Sequence, residues 1–320
     1  MGSKVSYLAN WLLYYIVVFP ISLLPLRVIY LITDLLFLFI LYIFPYREKL
    51  IRKNIHHTFP DISKRERIKI KRAFYRHFTD LLAESIKNIS ISKYELKRRF
   101  KVSNPEIMNK LYREGKDVLL VSGHYNNWEW MITGQNLLLK HQAIGVGMPL
   151  SNPFWNKKLN ERRARFGMNI ISANEVHTTF NKLHSKPTAT LLLSDQSPVD
   201  GNKAYWMTFL NQPTAVLFGC EQLAHQYNKA VVFFIINKRR RGRYKIDFEL
   251  ICEDANSMNW GEITEKHTHL LEQKIITKPE FWLWSHNRWK RDIPENLEEL
   301  KFIQKEKFNS KFKKVLSSVD

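Results

Sequence analysis

A histidine and a glutamate between Val118 and Trp130 are the residues of this chain best suited to chemistry. His124 and Glu129 lie five positions apart, directly after an apolar run that predicts a buried strand. Five positions correspond to about 500° of helix rotation, so a regular helix would point the two side chains apart. They converge only if His124 lies in the turn after the strand and Glu129 in the first turn of the next helix. A carboxylate behind an imidazole fixes its tautomer and raises its basicity, so we predict a general base that takes a proton from a hydroxyl.

Other kinds of site fit His124 less well. Zinc would require a second histidine or a cysteine at ligand spacing, and the HExxH arrangement is absent from the sequence. A serine hydrolase would require a GxSxG turn, which is also absent. The common alternative is a structural histidine. Gly123 before it and two asparagines after it indicate a tight polar turn, which favours a functional role.

Two further polar groups could accompany this base. Arg162, Arg163 and Arg165 follow a proline-containing loop, and they could bind phosphate or carboxylate or simply form a solvated basic helix face. Asp195 and Gln196 directly follow an apolar strand. In a parallel sheet this places them at the same carboxyl edge as His124. For Asp195 taken alone, a turn or helix-capping role is the favoured interpretation.

The segment from Lys278 to Arg291 mixes three tryptophans with basic residues, among them His286 and Arg288. This mixture is typical of the aromatic belt of a membrane interface. Stacking on single-stranded nucleic acid would use the same residue types. No RNA-binding signature, zinc finger or helix-turn-helix pattern accompanies the segment, so nucleic acid is not expected as a partner.

The charge balance predicts a polyanionic partner. The 320-residue chain has 50 Lys and Arg against 30 Asp and Glu, a net charge of +20. Such an excess favours nucleic acid or an anionic membrane surface. Its two cysteines, Cys220 and Cys252, imply no disulfide framework and agree with a reducing compartment.

The N-terminal region favours the membrane as that partner. Residues 5–26 contain no charged side chain. This stretch is long enough for a transmembrane span, although Pro20 and Pro25 interrupt it. Residues 28–44 contain only Asp34 and predict an embedded or interfacial helix. A buried pair of core helices is the alternative. Basic residues directly after the apolar stretch predict a catalytic domain on the cytoplasmic side.

The remaining pattern predicts an α/β fold with a mainly parallel central sheet flanked by helices, because short apolar runs alternate with helical segments from residue 117 onward. A basic amphipathic helix over residues 62–89 precedes this part and could be a solvated face or lie on anionic lipid. The predicted strands are 117–122, 143–148, 170–172, 188–194, 231–237 and 244–251, and the predicted helices are 128–140, 156–166, 214–227 and 262–276. We expect a membrane anchor over 1–46, a basic helical segment over 47–100, the catalytic domain over 101–294 and a basic tail over 295–320.

Taken together, the motifs resemble those of the bacterial lipid A late acyltransferases (lauroyl/myristoyl acyltransferases) of the lysophospholipid acyltransferase superfamily. The resemblance covers nearly the whole chain. It rests on NIHHTFP, GHYNNWE, RRARFG, SDQ and PEFWLWSHNRWK, at residues 54–60, 123–129, 162–167, 194–196 and 279–290. It implies that His124 and Glu129 act as a dyad that activates an acceptor hydroxyl. It further implies a set of substrate-binding residues: Asn127, Trp128, Arg163, Arg165, Asp195, Gln196, His286 and Arg288.

The resemblance also implies the reaction and its location. The hydroxyl of a membrane lipid would attack a fatty-acyl thioester carried on acyl carrier protein or coenzyme A, without cofactor or metal, at the bacterial inner membrane. Tyr125 and Asn126 stand where the family often has Phe-Gly, which leaves the acceptor open between a lipid A precursor, a lysophospholipid and a hydroxy-acyl aminolipid. Two alternatives of another class are a non-catalytic basic membrane-binding protein and a nucleic-acid-binding protein.

Overall fold

The computed structural model describes residues 2–313, and their side chains from residue 7 onward; Met1 and residues 314–320, at the ends of the predicted anchor and tail, lie outside the described residues. The chain begins with helices and continues as alternating strands and helices. The helices are α1 Gly2–Leu12, α2 Phe19–Leu23, α3 Leu26–Tyr42, α4 Glu48–Thr58, α5 Lys64–Lys87, α6 Lys93–Arg99, α7 Glu106–Arg113, α8 Trp128–Leu138, α9 Pro153–Ala164, α10 Val176–Phe180, α11 Gly219–Tyr227, α12 Glu262–Thr277 and α13 Leu297–Phe312.

The strands form one large sheet and one hairpin. They are β1 Phe100–Val102, β2 Val118–Ser122, β3 Gln142–Gly147, β4 Asn169–Ser172, β5 Thr188–Leu193, β6 Tyr205–Phe209, β7 Gln212–Val216, β8 Ala230–Arg240 and β9 Arg243–Cys252. The seven-stranded sheet has the order β1-β9-β8-β2-β5-β3-β4. Its neighbours run parallel except for the antiparallel pair β8 and β9. The predicted α/β fold with a mainly parallel, helix-flanked sheet is therefore confirmed.

Strand β2 lies in the middle of the sheet and is buried on both faces. Val118 and Leu120 pack into the core on one side, and Leu119 and Val121 pack into the core on the other. All four side chains are 0% exposed. A strand covered by helices on both faces is expected to be continuously apolar, which explains why the run before His124 shows no alternation. This burial gives the turn after β2 a rigid support.

The N-terminal helices present a broad apolar surface to solvent. Ile16, Leu31, Leu35 and Phe44 are between 64% and 74% exposed, and many neighbouring apolar side chains are also exposed. Within residues 2–313 no helix combines the length and the apolar character needed to cross a membrane, so the span predicted over residues 5–26 is not found. A π-helical stretch, Leu13–Val18, separates α1 from α2. It ends two residues before Pro20, whose missing N–H disturbs the regular ladder of helical hydrogen bonds.

The predicted helix over residues 214–227 is wrong at its start. Residues 212–216 form β7, and α11 begins only at Gly219. Strands β6 and β7 pair antiparallel around Leu210 and Asn211, which both have positive φ, 53° and 62°. Two successive left-handed residues make a tight hairpin turn. The sequence did not indicate this turn, because leucine rarely adopts the left-handed conformation that Leu210 has here.

Candidate active site

The turn that follows β2 carries His124 at the carboxyl edge of the sheet. Strand β5 lies next to β2, with Ser122 opposite Leu193, and Ser194 N–H donates to the Ser122 carbonyl at 2.8 Å. The residues after both strands therefore leave the sheet side by side. This register brings Asp195 to His124 although the two residues are 71 positions apart.

His124 and Asp195 form a closely bonded pair. His124 Nδ1 lies 2.6 Å from Asp195 Oδ1, and the His124 backbone N–H donates to Asp195 Oδ2 at 2.8 Å. The indole N–H of Trp282 donates to the same Oδ2 at 2.9 Å. An ionised carboxylate accepts from all three groups, so Nδ1 carries a proton and Nε2 is left as the basic nitrogen.

The charge of Asp195 is stabilised although the residue is buried. Burial raises the pKa of this carboxyl, but the facing His124 and the hydrogen bonds from His124 and Trp282 outweigh burial and bring the pKa from an ordinary value of 3.8 to about 2. Asp195 is therefore ionised at neutral pH. A fixed negative charge behind an imidazole stabilises the imidazolium that forms when Nε2 accepts a proton.

Gly123 allows this close approach. A Cβ atom on residue 123 would lie 2.9 Å from the Asp195 carboxyl carbon and 2.6 Å from a methyl carbon of Leu271. Both distances are shorter than real Cβ contacts, so any side chain would push the carboxylate away from the turn. The glycine before the histidine is thus needed for space, because its φ is not in the left-handed region.

Two half-buried side chains lie beside the imidazole, and a third, His286, bonds the loop that carries one of them. Gln196 Nε2 lies 3.4 Å from His124 Nε2, and the Trp128 ring packs edge-on against the imidazole with 5.0 Å between ring centroids. His286 Nε2 accepts the backbone N–H of Ser197 at 3.1 Å. Burial lowers the pKa of His286 to about 4, so it is neutral at pH 7. The structure therefore places Trp128 and Gln196 beside His124, whereas His286 supports the loop that carries Gln196.

Glu129 does not occupy the predicted position behind the imidazole. Its two carboxylate oxygens accept from Arg162 Nη2 at 2.6 Å and from Arg163 Nη2 at 2.5 Å, both on α9. Burial raises its pKa, but the two guanidinium groups outweigh burial and bring the pKa from 4.5 to about 2. Asp195 holds the imidazole instead. Glu129 binds two arginines. Arg163 lies close to the end of β3, because a Cβ atom added to Gly147 would be 3.8 Å from its Nη1.

Asn127, predicted to bind substrate, is occupied with structural bonds. Its side-chain oxygen caps α8 by accepting Trp130 N–H at 2.9 Å, and its amide nitrogen donates to Glu84. Glu84 is 0% exposed and also accepts hydroxyl hydrogens from Tyr30 at 2.6 Å and from Tyr244 at 2.7 Å. This buried carboxyl ties α3, α5 and β9 to the start of the helix that carries Glu129.

Two arginines of the predicted substrate-binding set contact backbone carbonyls. Arg165 donates to carbonyl groups of Asn88, Ile89 and Ile91, just after the end of α5. Arg288 is 2% exposed and donates to the Ala215 carbonyl of β7 at 2.8 Å. Both bind carbonyl groups of neighbouring segments, so their visible contacts are structural.

Trp282 and Glu84 were not singled out by the sequence, and Arg162 was named only as one of three arginines that could bind an anion. Trp282 lies in a tryptophan-rich motif whose individual roles the sequence does not separate. Arg162 and Arg163 are adjacent, and only the structure shows that both reach one carboxylate. Glu84 offered a signal, because it is an acidic residue beside the apolar stripe of α5, where a buried charge requires partners. Within residues 2–313, no group of three His, Cys, Asp or Glu side chains is arranged to hold a metal ion.

The comparison with protein families agrees with the resemblance of the motifs. The family described as "Bacterial lipid A biosynthesis acyltransferase" matches residues 2–291. Because the match extends over most of the 320 residues, the chain belongs to this family and is an acyltransferase. A comparison with curated proteins gave no match.

Proposed function

We propose that this acyltransferase moves a fatty acyl chain from a thioester to the hydroxyl of a membrane lipid, with His124 as the general base. The observation that supports this most directly is the His124–Asp195 pair, held by Trp282 at the carboxyl edge of a parallel sheet. A lipid A precursor is the proposed acceptor. The thioester of acyl carrier protein or of coenzyme A is the proposed donor.

In the proposed reaction His124 Nε2 takes the proton of the acceptor hydroxyl while the hydroxyl oxygen attacks the thioester carbonyl. Asp195 stabilises the resulting imidazolium through Nδ1. When the tetrahedral intermediate collapses, the carbon–sulfur bond breaks, an ester forms, and the imidazolium gives its proton to the departing thiolate. The amide nitrogen of Gln196, 3.4 Å from Nε2, is a hydrogen-bond donor beside the reacting atoms.

We propose a different role for Glu129 from the one expected from its spacing. Glu129 fixes the guanidinium groups of Arg162 and Arg163 at the carboxyl edge, where they can face an anionic group of a substrate. A carboxylate that pairs with two arginines leaves part of their positive charge uncompensated. In this proposal Asp195 completes the base and Glu129 orders the adjacent cationic region.

The exposed surface of the protein is compatible with a lipid acceptor. The apolar side chains of the N-terminal helices lie on the outside, and an apolar surface of this extent is typical of protein–membrane or protein–protein contact. The net charge of +20 favours anionic membranes. We propose that the protein works at the cytoplasmic face of the inner membrane.

Acyl transfer in detergent tests this function. Purified protein would be given acyl carrier protein thioesters and coenzyme A thioesters in turn, with total bacterial lipid as acceptor, and products would be identified by mass spectrometry. We expect wild type to add one acyl chain to one lipid class, and His124→Ala to lower turnover by about a hundredfold or more, as loss of a general base should. Gln196→Ala changes a side chain beside the same nitrogen but retains the base, so it should lower turnover by less than His124→Ala does.

Two outcomes would contradict the proposal. If folded wild-type protein transfers no acyl group from any donor, a non-catalytic membrane-binding role gains support. If His124→Ala is folded and turns over at nearly the wild-type rate, His124 is not the base. Folding of each variant would be checked by circular dichroism and thermal unfolding.

A further inference from the structure

A cleft between α4 and α5 lies apart from the residues assigned to acyl transfer. Its volume is about 650 Å³, and Arg52, Lys53, Lys64, Arg67 and Lys71 line it together with two neighbouring histidines. No aspartate or glutamate is among the described residues that line it. The cations come from both helices and converge on one concave space, unlike those of a convex solvated helix face.

Most of this positive charge has no carboxylate partner. Lys71 pairs with Glu48, and Arg67 donates to two backbone carbonyls at 3.1 Å. Within the part of the chain that the structure describes, Arg52, Lys53 and Lys64 form no ion pair. A concave surface lined by charge of one sign concentrates the electric field and attracts a compact anion.

The segment that leads into α4 indicates the kind of anion. From the last residue of α3 to the start of α4 it carries exposed apolar side chains: Tyr42 and Ile43 are each 67% exposed, Phe44 is 74% exposed and Tyr46 is 41% exposed. Helix α4 begins two residues later, at Glu48. Ile68, on the wall that α5 contributes, is itself 51% exposed. Apolar and cationic surfaces in direct succession are the two features that together give stable binding to a membrane.

We infer that this cleft binds the phosphate headgroup of an anionic membrane lipid whose acyl chains contact the exposed residues at the end of α3. The opposite face of α4 faces the active site, because Asn54 donates to the carbonyls of Trp284 at 2.9 Å and of His286 at 3.0 Å. The lipid site is therefore one helix away from the segment that holds Trp282. It does not require the proposed acyl transfer to be correct.

Vesicle binding tests this inference without any acyl donor. The full chain would be sedimented with vesicles of phosphatidylcholine alone and with vesicles that also contain phosphatidylglycerol. The test variant is Lys53→Gln/Lys64→Gln, with one substitution in each wall. The matched control is Lys97→Gln/Lys101→Gln, which removes the same charge from exposed positions outside the cleft.

We expect wild type to prefer the anionic vesicles and the cleft variant to lose about 30-fold in affinity for them, from about 1 kcal/mol per lysine near an anionic surface. The control variant and His124→Ala should bind as wild type does. The two lysine variants should unfold at the wild-type temperature, because the substituted side chains are exposed.

Three results would overturn the inference. Equal losses in the cleft variant and the control would show that diffuse surface charge, not the cleft, binds the membrane. Equal binding of wild type to both kinds of vesicle would show that no anionic headgroup is recognised. Unchanged vesicle binding together with a raised KM for an acyl carrier protein thioester would assign the cleft to the carrier protein.

Discussion

Replacing Asp195 by asparagine should invert the hydrogen bonding of His124. Asp195 Oδ2 accepts two N–H groups, from the His124 backbone at 2.8 Å and from Trp282 at 2.9 Å. Neither group can accept a hydrogen bond, so the amide oxygen of the new side chain must stay at that position and its NH₂ group must face Nδ1. Nδ1 then accepts, and the imidazole proton moves to Nε2. In this tautomer Nε2 cannot take a proton from the acceptor hydroxyl.

The size of the effect follows from two losses. A hydrogen bond to a charged group contributes about 1.5–3 kcal/mol, which corresponds to about 10- to 150-fold in rate. The drop in the Asp195 pKa from 3.8 to about 2 indicates an interaction of about 2 kcal/mol with the ionised form, which agrees with this range. The wrong tautomer adds to the loss, and the equivalent change in serine proteases lowers turnover by about 10⁴-fold. We therefore expect Asp195→Asn to lower kcat by at least about 100-fold.

The assay would measure kcat and KM for acyl transfer as a function of pH, with Glu129→Gln as the matched control. Both substitutions remove one negative charge from a buried carboxylate near the same edge of the sheet. The Glu129 variant keeps the His124 tautomer, so its loss should be smaller and should fall mainly on KM for an anionic substrate. Turnover of folded Asp195→Asn within about threefold of wild type would refute the reasoning. A larger fall in kcat for Glu129→Gln than for Asp195→Asn would indicate that Glu129, and not Asp195, is the partner of His124 in catalysis.

Two further predictions concern stability. Glu84→Ala leaves the hydroxyls of Tyr30 and Tyr244 and the amide of Asn127 without their buried acceptor, so the free energy of unfolding in urea should fall by about 3 kcal/mol or more; a loss below about 1 kcal/mol would contradict this. The folded pKa of Glu129 is about 2 against an ordinary 4.5, so its contribution to stability is complete above pH 4.5 and is lost as the pH falls toward 2. The melting temperature of Glu129→Gln should consequently change less than that of wild type over this pH range, and an equal change would argue against the pairing with arginine.

The sequence predicted which residues of the candidate active site lie together better than it predicted their contacts. The uninterrupted apolar run of β2 and the polar residues after β2 and β5 were sufficient to place His124, Asp195 and Gln196 at one edge. The partner of His124 depends on the register between two strands that are far apart in the sequence, and spacing along the chain does not contain that information. Glu129 was the nearer carboxylate in sequence, but α8 directs it toward the arginines of α9.

The sequence also did not predict the contacts of three polar residues in the family motifs, of which Asn127 and Arg288 are buried. Arg165, Arg288 and Asn127 have the residue types that bind substrate, and they lie in motifs of an acyltransferase family. In the structure their side chains bond backbone carbonyls, cap a helix or bind Glu84. Buried polar groups require partners, and nothing in the sequence indicates whether the partner is a ligand or the protein itself.

The long sequence separations in and around the candidate active site have a consequence for the order of events during synthesis. Asp195 obtains the Trp282 hydrogen bond from a residue 87 positions later, and Asn54 binds the Trp284 carbonyl across 230 positions. Contacts of this kind form late, because the intervening chain must first be made and then ordered. The helices α1 to α3, with their exposed apolar side chains, leave the ribosome well before these residues. The growing chain therefore presents this apolar surface long before the candidate site around Asp195 is complete.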